Sequence, residues 1–217
     1  MSGSPIGLFG GSFDPPHLGH MALVQAGLDA GLEKIYVIPA LPVHRTLSGH
    51  ADGRTRLEWL VRIFADQPQV QVVDWEVRQN QPTPAIATLR YFRHLHPHTA
   101  PWLMLGADAW AGLPGWREYP AHRSLCNVAV FARCGAMKAC GHEGWRQLAA
   151  IDKPVCSAAG HWMYIEADLP DISATELRRH AQSGRSLDAW TPAAVCREIE
   201  QAYGRAYEIK PGKMETM

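Results

Sequence analysis

Apolar and polar positions along this chain fall into two kinds of segment. Short, nearly continuous apolar runs occur at Ile6 to Phe9, Lys34 to Pro39, Val70 to Trp75, Pro101 to Leu105, Asn127 to Ala132 and Trp162 to Glu166. Their length and content are those of buried strands. Longer stretches between them carry apolar residues at helical spacing. Leu18 to Ala30 is one, closed by Gly31, and Arg54 to Asp66 is another, with Leu57, Leu60, Val61 and Phe64 on one face. Ala85 to Leu95, Ser173 to Gln182 and Pro192 to Tyr203 are three more, and Leu113 to Arg117 opens a further helix. Ala40 to Gly53 reads as a long loop and Gln79 to Pro84 as a turn. The stretch from Cys134 to Ala159 is the least informative, with one helical candidate at Glu143 to Ala150.

Strand, helix and strand in quick succession form a βαβ unit, which implies a parallel sheet and a right-handed crossover. Repeated along the chain, the alternation predicts an α/β fold, a doubly wound, Rossmann-like parallel sheet with helices on both faces. A small helical extension follows over about 173–205, and residues 1–217 are expected to form one domain. The 47% hydrophobic content suits a globular core, and no apolar run approaches the ~20 residues of a membrane helix. Lys plus Arg equals Asp plus Glu at 21 each, so no global field favours nucleic acid or a membrane surface. Five cysteines without a CxxC pair speak for a reduced, cytoplasmic setting, and the N-terminus lacks the features of a signal peptide. His94, His96 and His98 sit at a helix end interrupted by Pro97, with no carboxylate or cysteine beside them. They are read as a solvated helix end, and no metal site is assigned.

The chemistry concentrates in Gly7-Leu8-Phe9-Gly10-Gly11-Ser12-Phe13-Asp14-Pro15-Pro16-His17-Leu18-Gly19-His20. A strand runs into a glycine turn and then a helix, which aims backbone N–H groups and a helix dipole at an anion. The GxGxxG spacing of dinucleotide folds is missing, as is the GK[ST] ending of a P-loop. His17 and His20 take their place, one helical turn apart, so both can face one phosphate group. A loop with a plain helix cap is the alternative for the HxGH part alone.

The full string resembles the GxFDPxHxGH signature of the nucleotidyltransferase superfamily, in particular the nicotinate-nucleotide adenylyltransferases. Asp171-Ile172-Ser173-Ala174-Thr175-Glu176-Leu177-Arg178 is similar to the second signature of that family, ISxTxxR. Chemically it is a helix N-terminus with two hydroxyls and a guanidinium one turn on, groups suited to the β- and γ-phosphates of ATP. Ser173 with Glu176 is also a capping box, and the two readings are compatible. Val43-His44-Arg45 resembles the family's PPH[KR] loop, which implies that His44 and Arg45 meet the phosphate of the acceptor nucleotide. Gly106 and Asp108 match the family's GxD near the adenosine ribose. Trp116 matches the tryptophan that borders the pyridine ring, and Arg133 an arginine-proline-glycine turn in which Cys134 here replaces proline. Core packing of Trp116 and a solvated Arg133 remain as alternatives.

The resemblance implies transfer of AMP from ATP to nicotinate mononucleotide, with Mg²⁺ travelling with ATP. His17, His20 and Arg178 are the expected catalytic residues. Gly10, Gly11, Ser12, Phe13, Gly106, Asp108, Arg133, Ile172, Ser173 and Thr175 join them around ATP. Ser12, His44, Arg45, Thr83, Ala85, Trp116 and Arg117 are expected at the mononucleotide. The family's serine-tyrosine-threonine segment is replaced by Thr83-Pro84-Ala85, which removes one backbone donor and one hydroxyl where the carboxylate would sit. Arg117 is the candidate compensating donor. An amide-preferring enzyme, another acceptor such as phosphopantetheine, and a non-catalytic nucleotide-binding module are the competing readings.

Overall fold

The computed structural model describes residues 4–41, 51–135, 140–151 and 157–204. Its elements in chain order are β1 (Ile6–Gly11), α1 (Leu18–Asp29), β2 (Lys34–Pro39), α2 (Gly53–Ile63), β3 (Val70–Val72), α3 (Trp75–Arg78) and α4 (Ala85–Leu95). They continue with β4 (Trp102–Gly106), α5 (Ala107–Gly112), a 3-10 turn (Leu113–Gly115), α6 (Tyr119–Leu125), β5 (Asn127–Arg133), β6 (Arg146–Gln147), β7 (His161–Ala167), α7 (Ala174–Gln182) and α8 (Cys196–Gly204). The described strands form one seven-stranded sheet in the order β3-β2-β1-β4-β5-β7-β6, with every pairing parallel.

Alternation along the strands distributes side chains to two cores. Ile6, Leu8, Tyr36, Ile38, Leu103, Leu105, Val128 and Val130 face α4 and the 110–113 segment, where they meet Leu89, Phe92, Trp110 and Leu113. Phe9, Ile35, Val37, Trp102, Met104, Ala129 and Phe131 face the other way and pack on Val24 of α1 and Leu60 and Phe64 of α2. A third cluster joins α7 and α8 to the outer side of α2, with Trp59 against Leu177, Ala181, Val195, Ile199 and Tyr203. This is the predicted C-terminal helical part, docked through α2.

Several boundaries differ from the sequence reading, each for a local reason. The third strand stops at Val72, because Trp75 turns into α3 and stacks on Tyr91 with centroids 4.7 Å apart. Helix α2 starts and ends earlier than predicted, since Asp52 caps it by accepting from Arg54 N and Thr55 N. Leu113–Gly115 is only a 3-10 turn. Glu118, in the left-handed region with φ 57°, separates it from α6. The helix expected at Glu143 to Ala150 is absent. Gly144 has φ 79°, and Arg146 N and Leu148 N bond Gly160 O and Trp162 O, making an edge strand. Residues 192–195 form a turn, so the last helix begins at Cys196. His96, expected in solvent, is half-buried, with Nε2 3.2 Å from Tyr36 Oη, while His94 and His98 are exposed. One buried acid lies off the sheet: Thr88 of α4 donates to Glu76 of α3 at 2.5 Å, and burial raises the Glu76 pKa to about 7.

The contact between α1 and the sheet depends on glycine. A Cβ on Gly27 would lie 2.6 Å from Met104 Cε and 3.1 Å from Ile35 Cδ1, whereas one on Gly10 would meet nothing within 4 Å. Gly27→Val should therefore lower stability by about 1–3 kcal/mol through overpacking. Gly10→Ala should stay within about 0.5 kcal/mol of wild type. Urea unfolding of the two variants checks this, and equal costs would contradict it.

Candidate active site

Beyond β1 the chain turns through Ser12 and Phe13 and enters α1 at its N-cap, His17. Phe13 has φ 47°, is buried, and sets its ring at right angles to Phe9 at 5.2 Å. The His17 and His20 rings stack at 3.7 Å with 24° between their planes. The His17 backbone N–H donates to His20 Nδ1 at 3.1 Å, so the neutral His20 ring carries its proton on Nε2. Glycine between them is required by this packing, because a Cβ on Gly19 would stand 3.1 Å from His17 Cε1 and Nδ1. Burial lowers the His17 pKa to about 4. Burial, with His17 adding to it, holds His20 well below the ordinary histidine value. At pH 7 both rings are neutral, each with one N–H to donate. His17 Nδ1 is buried without a hydrogen-bond partner among the described residues.

Asp14, Arg56 and Tyr203, which the sequence analysis did not single out, anchor this turn together with Arg178. Asp14 is buried, and its Oδ1 accepts from Ala51 N at 3.1 Å and from the Tyr203 hydroxyl. Arg178 Nη1 donates to the Asp14 carbonyl and lies 3.9 Å from Asp14 Oδ2, while its Nη2 reaches Thr175 Oγ1 at 3.2 Å. Arg56 is 1% exposed. Its Nη1 donates to the carbonyls of Ser12 and Ala40, and its Nε to the carbonyl of Ala51. The helical period held a signal for Arg56, which shares the buried face of α2 with Trp59 and Leu60.

The remaining residues expected at ATP stand at strand and helix ends around the turn. Gly10 and Gly106 close adjacent strands, β1 and β4, where the strand order reverses and ligands of open α/β sheets bind. A Cβ on either would meet nothing within 4 Å, so the backbone there is open to close approach. Asp108 is exposed in the first turn of α5. Arg133, at the end of β5, pairs with Asp171 at 2.6 Å, both largely exposed. Ser173 is the N-cap of α7 but its hydroxyl makes no cap hydrogen bond, so the capping box with Glu176 is not closed. Ser173 and Thr175 are exposed, and Ile172 packs on the third cluster.

A second feature is a cavity of about 600 Å³ walled by Thr83, Pro84 and Ala85 at the start of α4 and by Gly115, Trp116, Arg117 and His122 opposite. Four residues expected at the mononucleotide, Thr83, Ala85, Trp116 and Arg117, thus share one cavity. The N-terminus of helix α4 stands at this wall. Trp116 is half-buried and packs against the first core cluster while also bordering the cavity, and Arg117 is exposed. His122 was not foreseen. His44 and Arg45 lie outside the described residues. Elsewhere, Asp188, Cys196 and Glu200 converge within 4.8 Å, but the Cys196 thiol donates to Asp188 at 3.2 Å and to Glu200 at 3.7 Å. Burial raises that thiol to about 11, so the cluster is a hydrogen-bonded one.

Residues 8–180 match the Cytidylyltransferase-like family. The chain is 33% identical over 207 residues to a protein of Roseiflexus sp. (strain RS-1) named "Probable nicotinate-nucleotide adenylyltransferase", covering 92% of this chain and 97% of that protein. It is 30% identical over 206 residues to a Thermotoga maritima protein of the same name, covering 94% of each. Its fold is similar, with a TM-score of 0.64 and 16% identity, to a Plasmodium falciparum nicotinic acid mononucleotide adenylyltransferase complexed with NaAD, over 95% of this chain and 97% of that one.

The buried histidines make stability depend on pH. A histidine whose folded pKa is depressed binds fewer protons than in the unfolded chain, so stability falls as pH drops from about 6.5 toward 4. Glu76 has the opposite sign: its raised pKa weakens the fold as pH rises from 4.5 through about 7. Stability should thus peak at about pH 7, where the opposing slopes of the two histidines and Glu76 balance. In His17→Asn the acid-side loss should shrink by roughly 3 kcal/mol, the equivalent of the His17 shift. Denaturant midpoints between pH 4 and 8 test this, and an unchanged acid limb would refute the assignment.

Proposed function

The chain belongs to the Cytidylyltransferase-like family and, within it, to the nicotinate-nucleotide adenylyltransferases, and on that footing we propose that it transfers AMP from ATP to nicotinate mononucleotide, giving deamido-NAD and pyrophosphate in NAD biosynthesis. The observation that carries this is the division of the site into two compartments. One is a phosphate-facing turn with a neutral imidazole pair at a helix N-terminus. The other is a cavity with an aromatic wall and a second helix N-terminus.

In this reading ATP, as its magnesium complex, lies over Gly10, Gly11, Ser12 and Phe13, with its ribose near Gly106 and Asp108. His17 and His20 donate to the α- and β-phosphate oxygens. Ser173, Thr175 and Arg178 bind the leaving pyrophosphate at the start of α7, beside Ile172, and Arg133 joins them by exchanging Asp171 for phosphate. Trp116 supports the pyridine ring while Thr83, Ala85 and Arg117 surround its substituent. His44 and Arg45 would meet the mononucleotide phosphate, with Ser12 beside it.

The acceptor phosphate oxygen attacks the α-phosphorus as the bond to the bridging oxygen breaks, and pyrophosphate leaves with that electron pair. No group of the protein is covalently modified, so rate comes from alignment and from donors fixed before reaction. Neutral imidazoles suit this role: they enter without losing a charge's hydration and gain proton affinity as negative charge builds on the phosphates. One folded unit in the cytoplasm is the setting we infer.

With ATP, magnesium and nicotinate mononucleotide, the protein should release pyrophosphate and form deamido-NAD. If only phosphopantetheine or another acceptor is turned over, the acceptor assignment is wrong. If no acceptor supports turnover while ATP binds, the chain is a nucleotide-binding module. His20→Ala should lower kcat by roughly 10²–10³ while keeping the circular dichroism of the wild type. Near-normal turnover in that variant would remove the imidazole from the chemistry.

A further inference from the structure

His122 lies in the wall of the cavity, fully buried, with its ring edge-on to Trp116 at 6.1 Å. Its Nδ1 is 3.3 Å from the carbonyls of both Glu118 and Tyr119. Carbonyls only accept, so the proton of the neutral ring sits on Nδ1 and Nε2 presents a lone pair. That Nε2 is buried with no hydrogen-bond partner among the described residues. Buried acceptors without partners are rare and costly. The cavity is the open volume that His122 borders.

We infer that His122 senses the pyridine substituent, accepting a hydrogen bond from an amide as the neutral ring and donating to a carboxylate only after taking up a proton at Nε2. The inference rests on the mononucleotide reading of the cavity given above. The donor requirement is chemical: a carboxylate and a neutral Nε2 are both acceptors, and placed together without a proton they repel. Bringing a carboxylate to this wall therefore brings a proton with it, whether the contact is direct or through one water held between them.

The charged groups around His122 support the same division. On its own helix, Glu118 raises its proton affinity. Arg90 of α4, paired with Glu118 at 2.6 Å, lowers it. Burial outweighs both, so the ring rests neutral, below the ordinary histidine value. Arg117, the other guanidinium near this wall, also lines the cavity. Glu118 is held ionised by Arg90. The Cys126 thiol, which donates to the His122 carbonyl at 3.4 Å, is pushed up by burial and stays neutral. His122 is accordingly the group at this wall that changes charge as a ligand arrives.

The test is the ratio of kcat/KM for nicotinate mononucleotide to that for nicotinamide mononucleotide, measured from pH 6.5 to 8.5. Groups common to both reactions, His17, His20 and the substrate phosphate included, cancel in the ratio. The wild-type ratio should fall with rising pH, approaching tenfold per unit. In His122→Leu it should be flat. A flat wild-type ratio, or a slope that survives in His122→Leu, overturns the inference while leaving the function standing. Turnover of neither mononucleotide, with another phosphate acceptor used instead, would overturn the function beneath it. Should the variant fail to fold, calorimetry of the wild type in two buffers of different ionisation enthalpy decides. About one proton should be taken up with the acid and none with the amide. Equal uptake for both refutes the assignment.

Discussion

Asp14 is a buried carboxylate whose partners come from three distant parts of the chain. Ala51 N leads into α2, the Tyr203 hydroxyl belongs to α8, and Arg178 of α7 holds the same residue through its backbone carbonyl. A buried charge without such partners is strongly destabilising, so each of these segments must be in place for the turn after β1 to exist in this form. Arg56 acts from the other side. One guanidinium joins Ser12 at the end of β1 to Ala40 at the end of β2 and Ala51 before α2. The turn before the histidine pair is thus fixed by partners from distant segments of the chain, and removing one of them leaves a buried charge or carbonyls without partners.

This arrangement explains why a short helical extension belongs to the site. Helices α7 and α8 bury Leu177, Ile199 and Tyr203 against Trp59 on the outer side of α2. Leu18 N, in the first turn of α1, also donates to Trp190 O at 2.8 Å. Docking of the extension therefore places Arg178 against Asp14 in the turn before α1. The apolar contact supplies the attraction, and the polar contacts supply the register.

The two compartments differ in how they treat charge. At the turn, burial keeps both imidazoles neutral and stacked. At the cavity, an aromatic ring, an exposed arginine and a buried imidazole surround a space beside a helix N-terminus. Pro84, which lacks an N–H, is the N-cap of α4 there, and the helix proceeds normally from Ala85 because that position donates no intrahelical bond.

Local sequence carried the alternation of strands and helices, the glycine turn, the histidine pair and the set Thr83, Ala85, Trp116 and Arg117 that one cavity brings together. Those features depend on period, on residues with restricted backbones and on donor chemistry, all of which act within a few positions of the chain. The same locality made β6 and α3 illegible. Arg146–Gln147 is a strand only because β7 offers its edge, and Trp75 leaves the third strand to stack on Tyr91. It also hid Asp14, Arg56, Tyr203 and His122. Asp14 stood in the turn string without a role of its own, and Arg56 and Tyr203 lay within predicted helices without one. Asp14 and Tyr203 bond each other across 189 positions, Arg56 reaches Ser12 44 positions back as well as the nearer Ala40 and Ala51, and His122 borders a cavity that exists only once α4 and α6 have come together. Burial, the term that turns these side chains into neutral donors, lone pairs and clamps, is a property of the tertiary fold alone.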